Sequence, residues 1–195
     1  MGGHFARLAS EVGCKIVAVA DHTATIADEA GLDIAKLKEH ALANGGIAGF
    51  KGGNEVDTEE LFSADVDVLV PAALENQVTV ERAQKIKARL IIEAANGPTT
   101  PGADELLMSN GVEVVPDILA NAGGVIVSYF EWLQNKSSRS WSIEDIEQRF
   151  RDIVWRSHDA VVETKNSQQC TMRDAAYIVA LKRIISTYER RGIFP

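Results

Sequence analysis

Short, nearly uninterrupted apolar runs constrain this chain more than any other feature. They fall at residues 15–21 (KIVAVAD), 66–71 (VDVLVP), 90–93 (LIIE) and 112–115 (VEVV). Each is too short for a helix, and continuous apolar character marks strands buried on both faces rather than strands with one wet face. The segments between them carry helical periodicity. Strands alternating with helices at this spacing imply right-handed crossovers and a parallel sheet covered by helices on both sides. In an open sheet of that kind, ligands bind where the strands end. The residues closing each run are therefore the ones to examine.

The helical segments carry local start and stop signals. Residues 1–13 place Phe5, Leu8, Ala9 and Val12 at helical spacing, with Gly13 at the expected C-cap. Asp33 suits the N-cap of a helix over 33–43, whose apolar side is Ile34, Leu37, Ala41 and Leu42. The glycine-rich stretches 44–46 and 49–54 lack the lysine-serine ending of a phosphate loop and read as turns. Asp57 or Thr58 should cap a short helix through Phe62, and further helices are expected over 78–88 and 102–110, the latter stopped by Gly111. After Trp132 the rhythm becomes purely helical. Ser142 and Thr171, each followed three positions later by an aspartate, open two long amphipathic runs. The first carries Ile143, Ile146, Phe150, Ile153, Val154 and Val161, and the second Tyr177, Leu181, Ile184, Ile185 and Tyr188. Residues 166–169, rich in Gln and Ser, read as the linker between them.

At the strand ends, Asp21 is placed either to accept from the hydroxyls of an adenosine ribose or to form a turn. Pro71-Ala72-Ala73 offers small side chains beside which a flat ring could lie, and a simple strand-to-helix turn would use the same residues. Residues 94–101 (AANGPTTP) combine a polar amide, Asn96, with a proline at the start of the next helix. In the segment 116–132, Asn121 is expected as an N-cap with Gly123 and Gly124 in the first helical turn, open to a polar ligand or to close packing. Val125 and Ser128, three positions apart, share a face beyond it.

Charge and cysteine content exclude several classes of function. With 20 Lys and Arg against 28 Asp and Glu, the net charge of -8 argues against nucleic acid or an anionic membrane as partner. Two distant cysteines, Cys14 and Cys170, suit neither a disulfide framework nor a zinc site, so no metal is expected. His4, His22, His40 and His158 are scattered and read as surface or packing residues, and no nucleophile–His–acid set emerges. No stretch has the length or composition of a membrane span or a signal peptide, and a cytoplasmic location is expected.

The segments Val17-Ala18-Val19-Ala20-Asp21-His22-Thr23, Pro71-Ala72-Ala73-Leu74-Glu75-Asn76-Gln77, Glu93-Ala94-Ala95-Asn96-Gly97-Pro98-Thr99-Thr100-Pro101 and 116–132 resemble the cofactor-binding domain of the glutamate, leucine, phenylalanine and valine dehydrogenase family. The resemblance extends over essentially 1–195. It implies a Rossmann-like doubly wound, mostly parallel α/β sheet lacking its first strand over 1–135, followed by a C-terminal helical extension over 136–195. It further implies that Gly2, Asp21, His22, Ala72, Ala73, Asn96 and Asn121 meet the cofactor, and that Val125 and Ser128 face the substrate. Ser128 would hold the distal carboxylate of glutamate, giving oxidative deamination to 2-oxoglutarate and ammonia; leucine or valine is the alternative substrate. A carboxylate at Asp21 favours NAD over NADP, since it repels a 2′-phosphate.

The same resemblance places Met1 at the valine of the family's Gly-x-Gly-x-Val-Gly fingerprint and Gly2 at its last glycine. Met1 is thus expected to be an internal methionine or a truncated start. The catalytic lysine and aspartate of the family lie in a preceding domain, so no catalytic residue is expected here. Ala94 replaces a usual glycine. Loss of the central first strand should leave two apolar neighbours without ladder partners unless they close up. The family's substrate, a small molecule, and a homo-oligomeric assembly are the expected partners of the complete enzyme. A non-catalytic subunit that pairs with a complete dehydrogenase is the alternative reading.

Overall fold

Side-chain caps written into the sequence set most of the helix starts. The computed structural model describes residues 1–192, and the chain divides into two compact units, Met1–Val112 and Glu113–Pro195. The last residues of the expected extension, 193–195, lie outside the described residues. In the first unit the elements are α1 (Gly2–Glu11), β1 (Ala18–Ala20), β2 (Thr25–Ala27), α2 (Ile34–Asn44), β3 (Asn54–Val56), α3 (Thr58–Ser63), β4 (Val68–Leu69), α4 (Val80–Ala83), β5 (Leu90–Ile92) and α5 (Pro101–Ser109). The second holds β6 (Glu113–Val115), α6 (Asp117–Ala120), α7 (Gly123–Ser137), α8 (Ile143–Gln168) and α9 (Met172–Arg191).

Asp33 caps α2 by accepting from the Lys36 amide at 3.0 Å. Asp57 and Glu60 form a reciprocal capping box on α3. Ser142 and Thr171 cap α8 and α9 through the amides of Asp145 and Asp174. The helix expected over 78–88 is reduced to the single turn of α4. The stretch at 166–169 is not a linker: α8 runs through Gln168, and Gln169 closes it in a left-handed conformation.

The chain has a Rossmann-like α/β fold with long C-terminal helices, but its first apolar run does not join the parallel ladder. β1 pairs antiparallel with β2 in the register Ala18↔Ala27, and β2 pairs antiparallel with β3 in the register Thr25↔Val56. β4 and β5 pair in parallel, Val68↔Leu90 and Leu69↔Ile91. β1 and β4 each stand at the edge of their own sheet, so the two apolar runs expected to flank a central strand have not closed on each other. Beneath the antiparallel sheet Ala6, Ile26, Leu32, Ile34, Leu37, Ile47 and Phe50 form one buried cluster.

In the second unit Val161, Met172, Ala175 and Ala176 form a buried cluster against which Val115 and Leu119 pack, so α8 and α9 brace β6 and α6. Lys165 reinforces this through Glu113 at 2.6 Å. Met172, Ala175 and Ala176 make the buried face of α9. Its larger stripe, Tyr177, Leu181, Ile184, Ile185 and Tyr188, faces solvent, each residue more than half exposed.

Candidate functional site

Asp21 follows β1 and lies in the tight connection that returns the chain to β2. Its Oδ1 accepts from the Thr23 amide at 2.7 Å, the Thr23 hydroxyl at 2.5 Å and the Ala24 amide at 3.2 Å, while Oδ2 accepts from the Ile47 amide at 3.0 Å. Partial burial works against its charge, but the bonds from Thr23, Ala24 and Ile47 outweigh it and hold the carboxyl below the ordinary aspartate range. Of the two readings of Asp21, the structure shows the turn, and the residue remains exposed. His22 is exposed beside it. Sequence reasoning missed the partners of this acid, Thr23 and the turn at 45–48. The pair Asn44-Gly45 was a turn signal, but nothing local said where that turn would dock.

The loops after β4 and β5 are brought together. Pro71 O accepts from both the Ala94 and Ala95 amides, at 3.0 and 2.9 Å. Further along, Asn76 N donates to Gly97 O at 2.9 Å, Val78 N to Pro98 O at 2.8 Å and Thr100 N back to Val78 O at 3.0 Å. Asn76 and Gly97 both adopt positive φ, 55° and 51°, which lets the two loops turn in step. The pairing leaves Ala73 and Asn96 exposed on the strand-end rim, with Ala72 half-buried and Ala94 buried below. α1 begins against this rim: a Cβ added to Gly2 would sit 3.3 Å from the Cβ of Ala72. Met1 supplies no side-chain cap to α1, and its carbonyl accepts from the His4 and Phe5 amides at 3.0 and 3.2 Å.

In the second unit the segment 116–132 differs from expectation in one respect. Asn121 does not cap α7. It closes α6, donating its amide to Asp117 O at 2.9 Å, and α7 starts after Ala122 without a side-chain cap. Pro116 already turns the chain helical directly after β6, so Asn121 arrives at a helix end rather than in the extended conformation an N-cap requires. Asp117 also lies 3.7 Å from the Arg173 guanidinium, which ties α6 to α9. Val125 and Ser128 are exposed on α7, and Tyr129 and Trp132 stack beside them at a centroid distance of 5.8 Å.

The remaining histidines do structural work or lie at the surface. His40 Nε2 meets Ala48 O at 2.9 Å and its ring packs edge-on to Phe50, while His158 stands beside Asp159. Among the described residues no His, Cys, Asp and Glu gather in a group able to hold a metal ion, and no helix is long and apolar enough to cross a membrane.

Comparison with known proteins gives a consistent result. The family model for Glutamate/Leucine/Phenylalanine/Valine dehydrogenase matches residues 1–192. The chain is 45% identical over 196 residues to glutamate dehydrogenase A2 of Halobacterium salinarum, covering all of this chain and 47% of that protein. It is 42% identical to the glutamate dehydrogenase of Thermotoga maritima, over 99% of this chain and 47% of that protein. Among solved structures, the hetero-hexameric glutamate dehydrogenase of Thermus thermophilus in its Leu-bound form superposes with a TM-score of 0.91 at 32% identity, covering 100% of this chain and 46% of that one. The chain thus spans about half the length of the relatives it matches.

Proposed function

The chain belongs to the Glutamate/Leucine/Phenylalanine/Valine dehydrogenase family, and from that premise we propose that it is the NAD-binding part of an amino-acid dehydrogenase converting L-glutamate to 2-oxoglutarate and ammonia. The observation that carries this reading is the zipped pair of loops after β4 and β5, which makes a rigid rim of small and amide side chains at the carboxyl ends of parallel strands. When bound, NAD supplies a C4 that takes the hydride from the amino acid's α-carbon.

The chain's own residues bind and orient. Gly2 keeps the start of α1 open for the pyrophosphate, and Asp21 with His22 receives the adenosine ribose. Ala72 and Ala73 form a flat wall along the cofactor, while Asn96 and Asn121 direct their amides to its nicotinamide end. Val125 shapes the substrate side, and the Ser128 hydroxyl donates to the distal carboxylate, which favours glutamate over apolar amino acids. The Asp21 charge favours NAD over NADP. No residue of the chain is assigned a proton-transfer role, and the enzyme as a whole is a homo-oligomer in this reading.

A thermal melt of the full chain with and without saturating NADH tests the proposal, because a ligand that binds only the folded state must raise the midpoint. An upward shift with NADH that exceeds that with NADPH is expected; an unchanged midpoint with both refutes cofactor binding.

A second reading, a non-catalytic subunit that pairs with a complete dehydrogenase, is favoured by the exposed stripe on α9. Co-elution with a complete family member, lost when Leu181 and Ile184 are both changed to serine, distinguishes it.

A further inference from the structure

Selection against a 2′-phosphate works by repulsion, and a repelling group selects only if it cannot swing aside. Asp21 is exposed, which would ordinarily leave its carboxylate free to rotate. The structure shows what prevents this. The Thr23 hydroxyl has one proton, donated to Asp21 Oδ1 at 2.5 Å, and its oxygen accepts from the Ala48 amide at 3.1 Å. The neighbouring Ile47 amide donates to Asp21 Oδ2 at 3.0 Å. Asp21, Thr23, Ala48 and Ile47 therefore form a closed polar ring that grips the turn at 45–48 from two sides.

The ring is anchored. The Ile47 side chain is 4% exposed within the apolar cluster under β2, and Ala48 O is held by His40 Nε2 at 2.9 Å. It also has no slack. A Cβ on Gly46 would fall 2.3 Å from Thr23 Cγ2 and 2.5 Å from its Oγ1, so the turn seats Thr23 only with glycine there. Each oxygen of a carboxylate has about two acceptor directions. Oδ1 already takes three donors and Oδ2 one, which leaves Oδ2 as the oxygen open to a ribose hydroxyl.

We propose that Thr23 is the positioning residue that locks the Asp21 carboxylate in place for the adenosine ribose and thereby sets discrimination against cofactors bearing a 2′-phosphate. This rests on the reading of Asp21 as the ribose acceptor.

The test is calorimetric titration of the full chain with ADP-ribose and with 2′-phospho-ADP-ribose, the readout being the ratio of the two affinities. Wild type prefers ADP-ribose. Thr23→Val, which keeps the branched shape and loses the hydroxyl, lowers that ratio about tenfold, the loss expected for one hydrogen bond to a charged group. Thr23→Ser restores the wild-type ratio. Gly46→Ala, which removes no polar group, lowers the ratio as Thr23→Val does, because its methyl expels Thr23. Asp21→Asn abolishes the preference, and adding Thr23→Val to it changes nothing further. An unchanged ratio in Thr23→Val, with Asp21→Asn still abolishing it, overturns the role of Thr23 and leaves the ribose reading standing. Equal ratios in wild type and Asp21→Asn overturn the ribose reading and this inference together. If circular dichroism shows Thr23→Val unfolded, the Gly46→Ala ratio decides: reduced supports the inference, unchanged overturns it.

Discussion

Replacing Ile26 by alanine should loosen the sheet that presents Asp21 by an amount that follows from its surroundings. Ile26 is the middle residue of β2, the central strand of the antiparallel sheet, and it is fully buried among Leu32, Ile34, Leu37, Ile47 and Phe50. The change removes three carbons, about 2.4 kcal/mol at roughly 0.8 kcal/mol for each buried methylene. A cavity beneath a three-stranded sheet of three-residue strands collapses only in part, which brings the cost to about 3–4 kcal/mol. Ile26→Val, which removes one carbon, should cost about 1 kcal/mol. The assay must look at this sheet. Trp132, Trp141 and Trp155 all lie in the second unit, so tryptophan fluorescence reports the wrong region. Hydrogen exchange followed by mass spectrometry over residues 16–28 reports the right one. About 3 kcal/mol corresponds to roughly 150-fold faster exchange, against about fivefold for Ile26→Val. An acceleration in Ile26→Ala no larger than that of Ile26→Val would refute the idea that this cluster is one cooperative core.

Other consequences are open to measurement. Glu113→Gln breaks the ion pair with Lys165, but both side chains are partly exposed, at 42% and 30%, so unfolding followed by tryptophan fluorescence should show a loss below about 1 kcal/mol that shrinks in 1 M salt. Asp21 titrates below the ordinary aspartate range in the folded chain, so its contribution is complete above that range and is lost as pH falls through the folded value. Melting midpoints of wild type and Asp21→Asn should accordingly differ at neutral pH and converge in acid; a gap constant with pH would contradict the assignment. In a complete enzyme carrying this chain, Ser128→Ala should lower kcat/KM for glutamate at least about tenfold. Equal turnover of glutamate by both forms would remove Ser128 from substrate selection.

Much of the candidate site was legible because its chemistry is local. The small residues of 71–73, the amide of Asn96 and its following prolines, and the acid closing the first apolar run all stand at strand ends, and the strand ends could be read from the apolar runs alone. That the loops at 71–78 and 94–100 would zip together was not legible, since their bonds join residues about twenty positions apart. Thr23 escaped notice for the same reason: its hydroxyl oxygen accepts from the Ala48 amide, in a turn more than twenty positions downstream.

The sequence by itself determined the helix starts at Asp33, Ser142 and Thr171, a further start at Asp57 or Thr58, the apolar character of the strands and the residues at their ends, because caps and periodicity depend on neighbours within one helical turn or strand. Tertiary structure decided which strands pair. The apolar run at 15–21 has the pattern of a parallel core strand, yet β1 takes β2 as its partner, a three-residue segment that the Asp21 turn delivers antiparallel alongside it. Tertiary structure likewise made Asn121 the end of α6 and turned Met172, Ala175 and Ala176 of α9, rather than its stripe from Tyr177 to Tyr188, toward the core. An apolar pattern states that a face will be covered; the shape and distance of the neighbours decide which face and by what.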